Sequence, residues 1–360
     1  MTDQEEESYA RVRVPARHVA LFTRQLSSML LAGVPLLQAL DALTSHEDCP
    51  AFGNVVSTLA DLIASGHNFS SACAKFPRVF PPVYTSMLTI GERVGQLDSA
   101  LDRLAIWLEK DDALRRRILS ALSYPGLILS VACLLTLALF YTVLPGFLQI
   151  FRDMNIPMPF ITRLVMAVTD AVRNPGAWLL AVALAGLSFS SIQAIMARRA
   201  WRLRAYRYIL WIPVLGRMLR AGSLARFSSA AATMMNSGLE VTRSFQLAAG
   251  TSASPLLETD SSKLVKSIRE GELISCHMLE RPEIYPPALA HMVAAGEEAS
   301  CMPEMLQRAA DYQEQECNYL VDGLSAAIEP VLLGCVAVVI ATVVLSVFLP
   351  MYSYIGNLGG

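Results

Sequence analysis

Apolar residues fall at helical spacing along the first third of this chain. Phe22, Leu26, Met29, Leu30 and Gly33 share one face of a helix. Gly33-Val34-Pro35 interrupts it, and Leu36, Leu37, Leu40 and Leu43 stripe a second helix. Val56, Leu59 and Ile63 line a third, which stops at Gly66. Pro81-Pro82 opens another, since proline suits a first turn. Gly91-Glu92-Arg93-Val94-Gly95 is expected to break that helix. Asp98 is expected to cap the next, striped by Leu101, Leu104, Ala105 and Leu108. No alternating run is long enough for a buried strand, so the spacing predicts a compact bundle of about six short helices.

Past this bundle the pattern changes from stripes to unbroken apolar runs. Residues 118–151, 174–197 and 330–360 contain no Asp, Glu, Lys or Arg. Each exceeds the roughly 20 apolar residues that cross a hydrocarbon core about 30 Å thick. No glycine or proline lies between Asp98 and Tyr124, so the last helix of the bundle should run on into the first apolar segment. Pro125 should kink or restart it.

The same layout occurs twice. Residues 22–151 recur without a gap as residues 227–356, so each position has a mate 205 residues on (227 − 22). Phe22 falls on Phe227, Gly33 on Gly238, Leu59 on Leu264, Gly91-Glu92 on Gly296-Glu297, Arg103 on Arg308 and Pro125 on Pro330. A repeat this long is a duplicated domain and not a solenoid unit. Two soluble-then-span copies each carry the chain outward, so one extra helix must return it, and residues 176–197 supply it outside the repeat.

The fold class that follows is all-α: a polytopic membrane protein with two duplicated cytoplasmic helical bundles and three transmembrane helices. The expected order is a mobile tail (residues 1–17), a first helical domain (18–117), a first membrane helix (118–146) and a short external loop (147–175). A second membrane helix (176–197), a basic segment with the second helical domain (198–327), a third membrane helix (328–350) and an external tail (351–360) complete it. Basic residues near spans stay on the cytoplasmic side. Arg115, Arg116 and Arg117 precede the first span, and eight arginines with no acid lie between 198 and 226. That bias puts the N-terminus and both helical domains inside, and the C-terminus outside.

Composition narrows the chemistry. The chain of 360 residues is 54% hydrophobic and 17% charged, well under the quarter typical of soluble domains, and the deficit sits in the apolar runs. The acidic start Met1-Thr2-Asp3-Gln4-Glu5 is the opposite of a signal peptide's basic region. Net charge is −2, which gives no reason to expect nucleic acid. Seven scattered cysteines without a CxxC fit reduced thiols, and five scattered histidines, including His277, fit surface or packing roles. No phosphate-binding, dinucleotide, hydrolase or metal motif is present, and no cofactor is implied.

Two sets of residues stand out. Gly91, Glu92, Gly95 and Arg103 have the mates Gly296, Glu297, Ser300 and Arg308. The acids and arginines persist in both copies, which favours ion pairs Glu92–Arg103 and Glu297–Arg308 within each module over catalysis. The same residues are candidates for a partner interface. The second set stands where helices meet the membrane: Arg115, Arg116, Arg117, Tyr124, Pro125, Glu329 and Pro330. Glu329 replaces Tyr124 in the second copy and is open to a packing, partner or anchoring role. The arginines of 198–226, with Trp201 and Trp211, suit acidic lipid headgroups.

Phe22-Thr23-Arg24-Gln25-Leu26, Leu31-Ala32-Gly33-Val34-Pro35-Leu36, Phe80-Pro81-Pro82 and Gly91-Glu92-Arg93-Val94-Gly95-Gln96-Leu97 carry a resemblance. So does the exchange of Tyr124-Pro125 for Glu329-Pro330. From about residue 19 to 356 the chain resembles the inner-membrane platform proteins of type II secretion systems and type IV pili. It departs from them at Ser300, where the first copy has Gly95, and in a shorter N-terminal extension. The resemblance implies a non-enzymatic protein of the bacterial inner membrane. Its partners would be a hexameric secretion ATPase, pilin or pseudopilin subunits, other inner-membrane assembly proteins and further copies of itself. The alternative from another class is an oligomeric membrane transporter that uses Glu329. No nucleophile–base arrangement is legible that would support a membrane hydrolase.

Overall fold

The structure is a computed structural model, and it describes residues 12, 14–44, 49–143, 199–211 and 213–358, with isolated positions between 146 and 186. Among the described residues there are helices and connecting turns and no strand. Module 1 comprises α1 (Ala16–Leu31), α2 (Leu36–Thr44), α3 (Pro50–Ala64), α4 (Phe69–Ala74), α5 (Pro82–Val94) and the start of α6 (Leu97–Ala138). A π-helical turn, Leu139–Val143, follows α6. Module 2 comprises α8 (Pro213–Asn236), α9 (Val241–Thr251), α10 (Pro255–Arg269), α11 (Ile274–Leu279), α12 (Pro287–Glu298) and the start of α13 (Met302–Leu358). It is preceded by α7 (Arg199–Leu210).

The predicted stripes are the core. Phe22, Leu26, Leu40, Leu43, Val56 and Leu59 are buried, as are Leu101, Leu104 and Ala105, while Leu37 turns outward. Phe22 sits edge-on to Phe52 at 5.4 Å, and Phe80 lies 4.9 Å from Tyr84. In module 2, Phe227 stacks on Phe245 at 5.6 Å.

The turns repeat with the sequence. Each of three helices in each copy ends by placing one residue at positive φ: Gly33, Gly66 and Gly95, then Gly238, Gly271 and Ser300. The residue after each donates its N–H five residues back: Val34 to Met29, His67 to Leu62 and Gln96 to Gly91, with Leu239, Glu272 and Cys301 doing the same in copy two. These are Schellman closures, which satisfy carbonyls that the helix end leaves unbonded.

Three expectations are narrowed. The break expected across Gly91–Gly95 falls at its last residue, because α5 runs to Val94 and Gly95 takes the left-handed conformation that ends it. Asp98 lies inside the first turn of α6 and accepts from the Ser99 N–H, so it supports the helix start without being its cap. Neither Pro125 nor Pro330 restarts its helix: α6 and α13 run through both positions.

The two modules do not stand as separate bundles. The chain divides into two compact units, one of Met1–Arg117 with Tyr206–Leu320, the other of Ile118–Ala205 with Val321–Gly360. Both modules fall in the first unit, and one apolar cluster runs through both of them.

In the second unit, the described parts of α6 and α13 expose large apolar side chains, among them Leu127, Leu134, Leu333 and Val338. Its hydroxyls bond back to their own helix: Ser130 to the Gly126 carbonyl, Thr136 to Ala132 and Thr342 to Val338. Such bonds satisfy a hydroxyl within its own helix, as they also do for Thr58 and Thr89 in module 1. Among the described residues, one helix is long and apolar enough to cross a membrane, Met302–Ser346, with mean hydropathy 2.5 in its most apolar stretch. Gly126–Thr142 is a shorter apolar helix. Apart from isolated positions, the span expected at 176–197, the loop at 147–175 and most of the N-terminal tail lie outside the described residues.

Candidate functional site

The duplicated Gly-Glu pairs sit near the C-terminal ends of α5 and α12, and their glycines permit close packing. A Cβ on Gly91 would lie 2.6 Å from the Ala100 Cβ, and one on Gly296 would lie 3.1 Å from the Met302 Cα. Each helix can therefore fold tightly back along the start of the next.

The glutamates do not pair with the arginines. Glu92 accepts from the Ser70 backbone N–H at 3.1 Å and from the Ser70 hydroxyl. Glu297 accepts from Ile274 N at 2.6 Å and from Ser275 N at 3.0 Å. Ser70 and Ser275 are mates. In both copies the carboxylate thus closes the N-terminus of a six-residue helix, α4 or α11, whose own N-cap residue makes no side-chain bond. Helix N-termini carry unbonded N–H groups and positive potential, so an acid reaching in from a neighbouring helix is a tertiary cap. Sequence favoured the arginine because it is near in the chain; geometry favours the helix end.

Arg103 has a different task. Its Nη1 donates to the Asn236 carbonyl of module 2 at 2.7 Å, and its Nη2 donates to the Ser99 hydroxyl at 2.8 Å. It belongs to a junction between modules. There Arg226 pairs with Asp111 at 2.8 Å and Lys110 with Asp311 at 3.2 Å. Burial raises the Asp111 carboxyl above its ordinary range, against the pull of Arg226. A cleft of about 400 Å³ opens beside these pairs, between Pro81, Pro82, Val83 and Trp107 on one side and Gln246, Leu247 and Gly250 on the other. Arg308, the mate of Arg103, is exposed on α13. Within module 1, Arg24 of α1 grips Glu109 and Asp102 of α6, and its hydrogen bond lowers the Glu109 carboxyl.

Of the second set, Arg115, Arg116 and Arg117 are exposed on α6, with Arg116 bridged to Asp112 at 3.0 Å. Pro330 is exposed on α13, and the side chains of Tyr124, Pro125 and Glu329 lie outside the described residues.

Module 2 also holds a buried polar cluster that residue-by-residue reading missed. Asp260 is 2% exposed. Its Oδ2 accepts from Tyr285 at 3.0 Å and lies 3.0 Å from His277 Nε2, while Arg281 bonds Oδ1. His277 Nδ1 lies 3.3 Å from the Ser267 hydroxyl. Burial, with the Asp260 carboxylate next to it, holds the Tyr285 phenol well above its ordinary value. Ser267, His277 and Asp260 follow one another as a nucleophile, base and acid would. Yet both Asp260 oxygens are already engaged, and His277 is only 6% exposed, so the row ties α10 to α11 instead of meeting a substrate. One signal could have revealed it. The mates of Asp260, Ser267, His277, Arg281 and Tyr285 are Val55, Leu62, Ala72, Phe76 and Phe80, so five apolar positions turn polar together. Among the described residues no group of three or more His, Cys, Asp or Glu is placed to hold a metal ion.

An internally duplicated all-helical unit, with long helices leaving it into apolar segments, defines a class of membrane-tethered repeat protein. The profile of the family described as type II secretion system (T2SS), protein F matches it twice, over residues 22–145 and 227–350, in the register of the repeat. The chain belongs to that family. It is 33% identical to the type IV pilus assembly protein PilC of Thermus thermophilus, over 97% of this chain and 87% of that protein. It is 27% identical to the PilC protein of Pseudomonas aeruginosa, over 97% and 92%. To the type II secretion system protein F of the same organism it is 28% identical, over 94% and 83%.

Proposed function

We infer that this chain is the inner-membrane platform protein of a filament-assembly machine, of the type IV pilus or type II secretion kind. The observation that carries the reading is the doubled family match, together with relatives named for pilus assembly and type II secretion that align along nearly the whole chain. The physical arrangement supports it. Two bundles merge into one unit with a shared core, and their last helices, α6 and α13, continue unbroken into apolar segments. Helices that run from the modules into the apolar segments offer a path for force, with no bond made or broken.

In the finer reading, three helices cross the bacterial inner membrane with both modules in the cytoplasm and the C-terminus in the periplasm. A hexameric secretion ATPase and other inner-membrane assembly proteins engage the modules, and pilin or pseudopilin subunits meet the membrane part. Arg115, Arg116 and Arg117 hold α6 at the lipid headgroups, and Tyr124, Pro125, Glu329 and Pro330 mark the same level on the two helices. Charge bias and the family's membership support this reading.

Deleting the gene tests the inference. Filament assembly or secretion should fall to background and return on complementation. A deletion strain that assembles filaments and secretes at the parental level overturns it. For the partner, capture of the cognate ATPase from detergent extract should depend on residues 18–117, and capture that survives their removal assigns the contact elsewhere.

A further inference from the structure

The short helices α4 and α11 are mates, and the same glutamate cap closes each, from Glu92 or Glu297. What they turn to solvent differs. On α11, Ile274, Ser275, His277 and Met278 are buried. Leu273, Cys276, Leu279 and Glu280 fill the opposite arc, about 120° wide at 3.6 residues per turn, and all four are exposed. Leu273 and Leu279 are 56% and 45% exposed. Acids flank this apolar face at both ends. Glu270 and Glu272 lie in the turn before α11, and Glu280 and Glu283 in the turn after it, all exposed. Arg281, in the same stretch, bonds the buried Asp260. Lys266 pairs with Glu270 at 3.5 Å, and Arg269 stands exposed at the edge.

Copy one shows that the fold does not call for this face. The mates of Leu273, Cys276 and Leu279 are Asn68, Ser71 and Ala74. The mates of the four acids are Ser65, His67, Lys75 and Arg78. Helix, cap and turns form there with none of the apolar or acidic groups. Single exposed leucines are ordinary on a protein surface, whereas an apolar face rimmed by polar groups marks a contact.

We propose that the α11 face of module 2 is a docking surface for a basic amphipathic segment of another protein. Its apolar stripe seats on Leu273, Cys276 and Leu279, and lysine or arginine at both ends meets the acids. The proposal does not rest on the filament-assembly reading. Charge selects the occupant. The acids repel anionic lipid headgroups, and a second α11 face would set like charges against each other. Leu273 and Leu279 are six residues apart, roughly 9 Å at 1.5 Å per residue. A partner helix covers that length with apolar residues at i, i+3 or i+4, and i+7. The face is small, so the contact belongs to the transient class below about 1,200 Å².

The test uses the full chain in its native membrane, with a photoreactive amino acid in place of Cys276 and cross-linked peptides read by mass spectrometry. The expected product joins position 276 to a peptide of a different protein, with apolar residues at helical spacing and an excess of Lys and Arg. Glu272→Lys with Glu280→Lys should lower the yield of that product roughly tenfold, because like charges then face each other. Glu272→Asp with Glu280→Asp should keep it. Leu273→Asn with Leu279→Ala, which installs the copy-one residues, should lower it as well. All four positions are exposed, so the melting temperature in detergent should stay at the parental value in each variant. A cross-link to lipid, to a second copy of this chain or to a peptide without excess basic residues overturns the proposal. So does the absence of a protein product, or equal yields for the lysine and aspartate exchanges.

Discussion

The two modules share a backbone and differ in what fills it. Module 1 packs Val55, Phe76 and Phe80 around α3 and α4, with one buried hydroxyl pair, Thr23 to Tyr84 at 3.1 Å. Module 2 has Asp260, Arg281 and Tyr285 at the first three places, and Leu289 in place of Tyr84. The Ser228 hydroxyl, mate of Thr23, is left buried without a partner. What the copies hold in common is the frame: Phe22 and Phe227, Leu59 and Leu264, the tertiary caps Glu92 and Glu297, and three Schellman turns each. Helix length, turn and cap thus specify this bundle, and its interior accepts hydrocarbon or a closed ionic network.

The largest effect should come from opening that network. Asp260→Ala leaves His277, Arg281 and Tyr285 without their shared acceptor, and breaking a buried pair by removing one partner costs about 3–5 kcal/mol. The fourfold exchange Asp260→Val, His277→Ala, Arg281→Phe and Tyr285→Phe installs the module 1 residues instead. It should be neutral or stabilising by about 1–4 kcal/mol, because no charge remains to be desolvated. Melting of the full chain in detergent separates the two. A fourfold variant as unstable as Asp260→Ala would mean that the interiors are not interchangeable and that the backbones have adapted to their contents.

Much of this frame was legible in advance. Helices α1, α2, α3 and the start of α6 follow from apolar spacing because burial of one face imposes the helical period, and α5 from the prolines at its first turn. The repeat was legible because it is ungapped. The role of Glu92 was not, since its partner Ser70 is 22 residues away, while Arg103 offered a charge at hand and local pattern cannot weigh a helix end against it. The junction was hidden for a related reason. Trp107 reads as one more apolar residue on α6, and nothing local says that its cover comes from α8 and α13. Asp260 could be found only by subtracting one copy from the other.

A middle-sized effect tests the tight corner. Gly91→Ala and Gly296→Ala each gain about 1 kcal/mol of helix propensity. At Gly91 the new methyl meets the Ala100 Cβ at 2.6 Å and the Gln96 carbonyl at 3.2 Å, both on short, stiff neighbours. Overpacking of that kind costs about 1–3 kcal/mol, so Gly91→Ala should be destabilising on balance. At Gly296 the nearest atoms, the Met302 Cα and the Met305 Cβ, are 3.1 Å away, so the neighbours need to give by only a few tenths of an ångström. That substitution should come out near neutral. Equal melting losses for the two would show that the corners are packed alike.

The smallest effect should have opposite signs in the two copies. Gly95 and Ser300 occupy the same turn, at φ of 71° and 54°, and make the same backbone bonds to Glu92 and Glu297. A residue with a Cβ pays about 1–2 kcal/mol in the left-handed region, and a glycine loses about 0.5–1 kcal/mol more chain entropy on folding. Gly95→Ser should therefore lower stability by up to about 1 kcal/mol, and Ser300→Gly should raise it by a similar or smaller amount. The double exchange moves the strain from one module to the other and should leave the melting temperature close to parental. If Ser300→Gly destabilises, the Ser300 side chain makes a stabilising contact in its turn that outweighs the backbone strain, and the two corners differ in more than the residue at their apex.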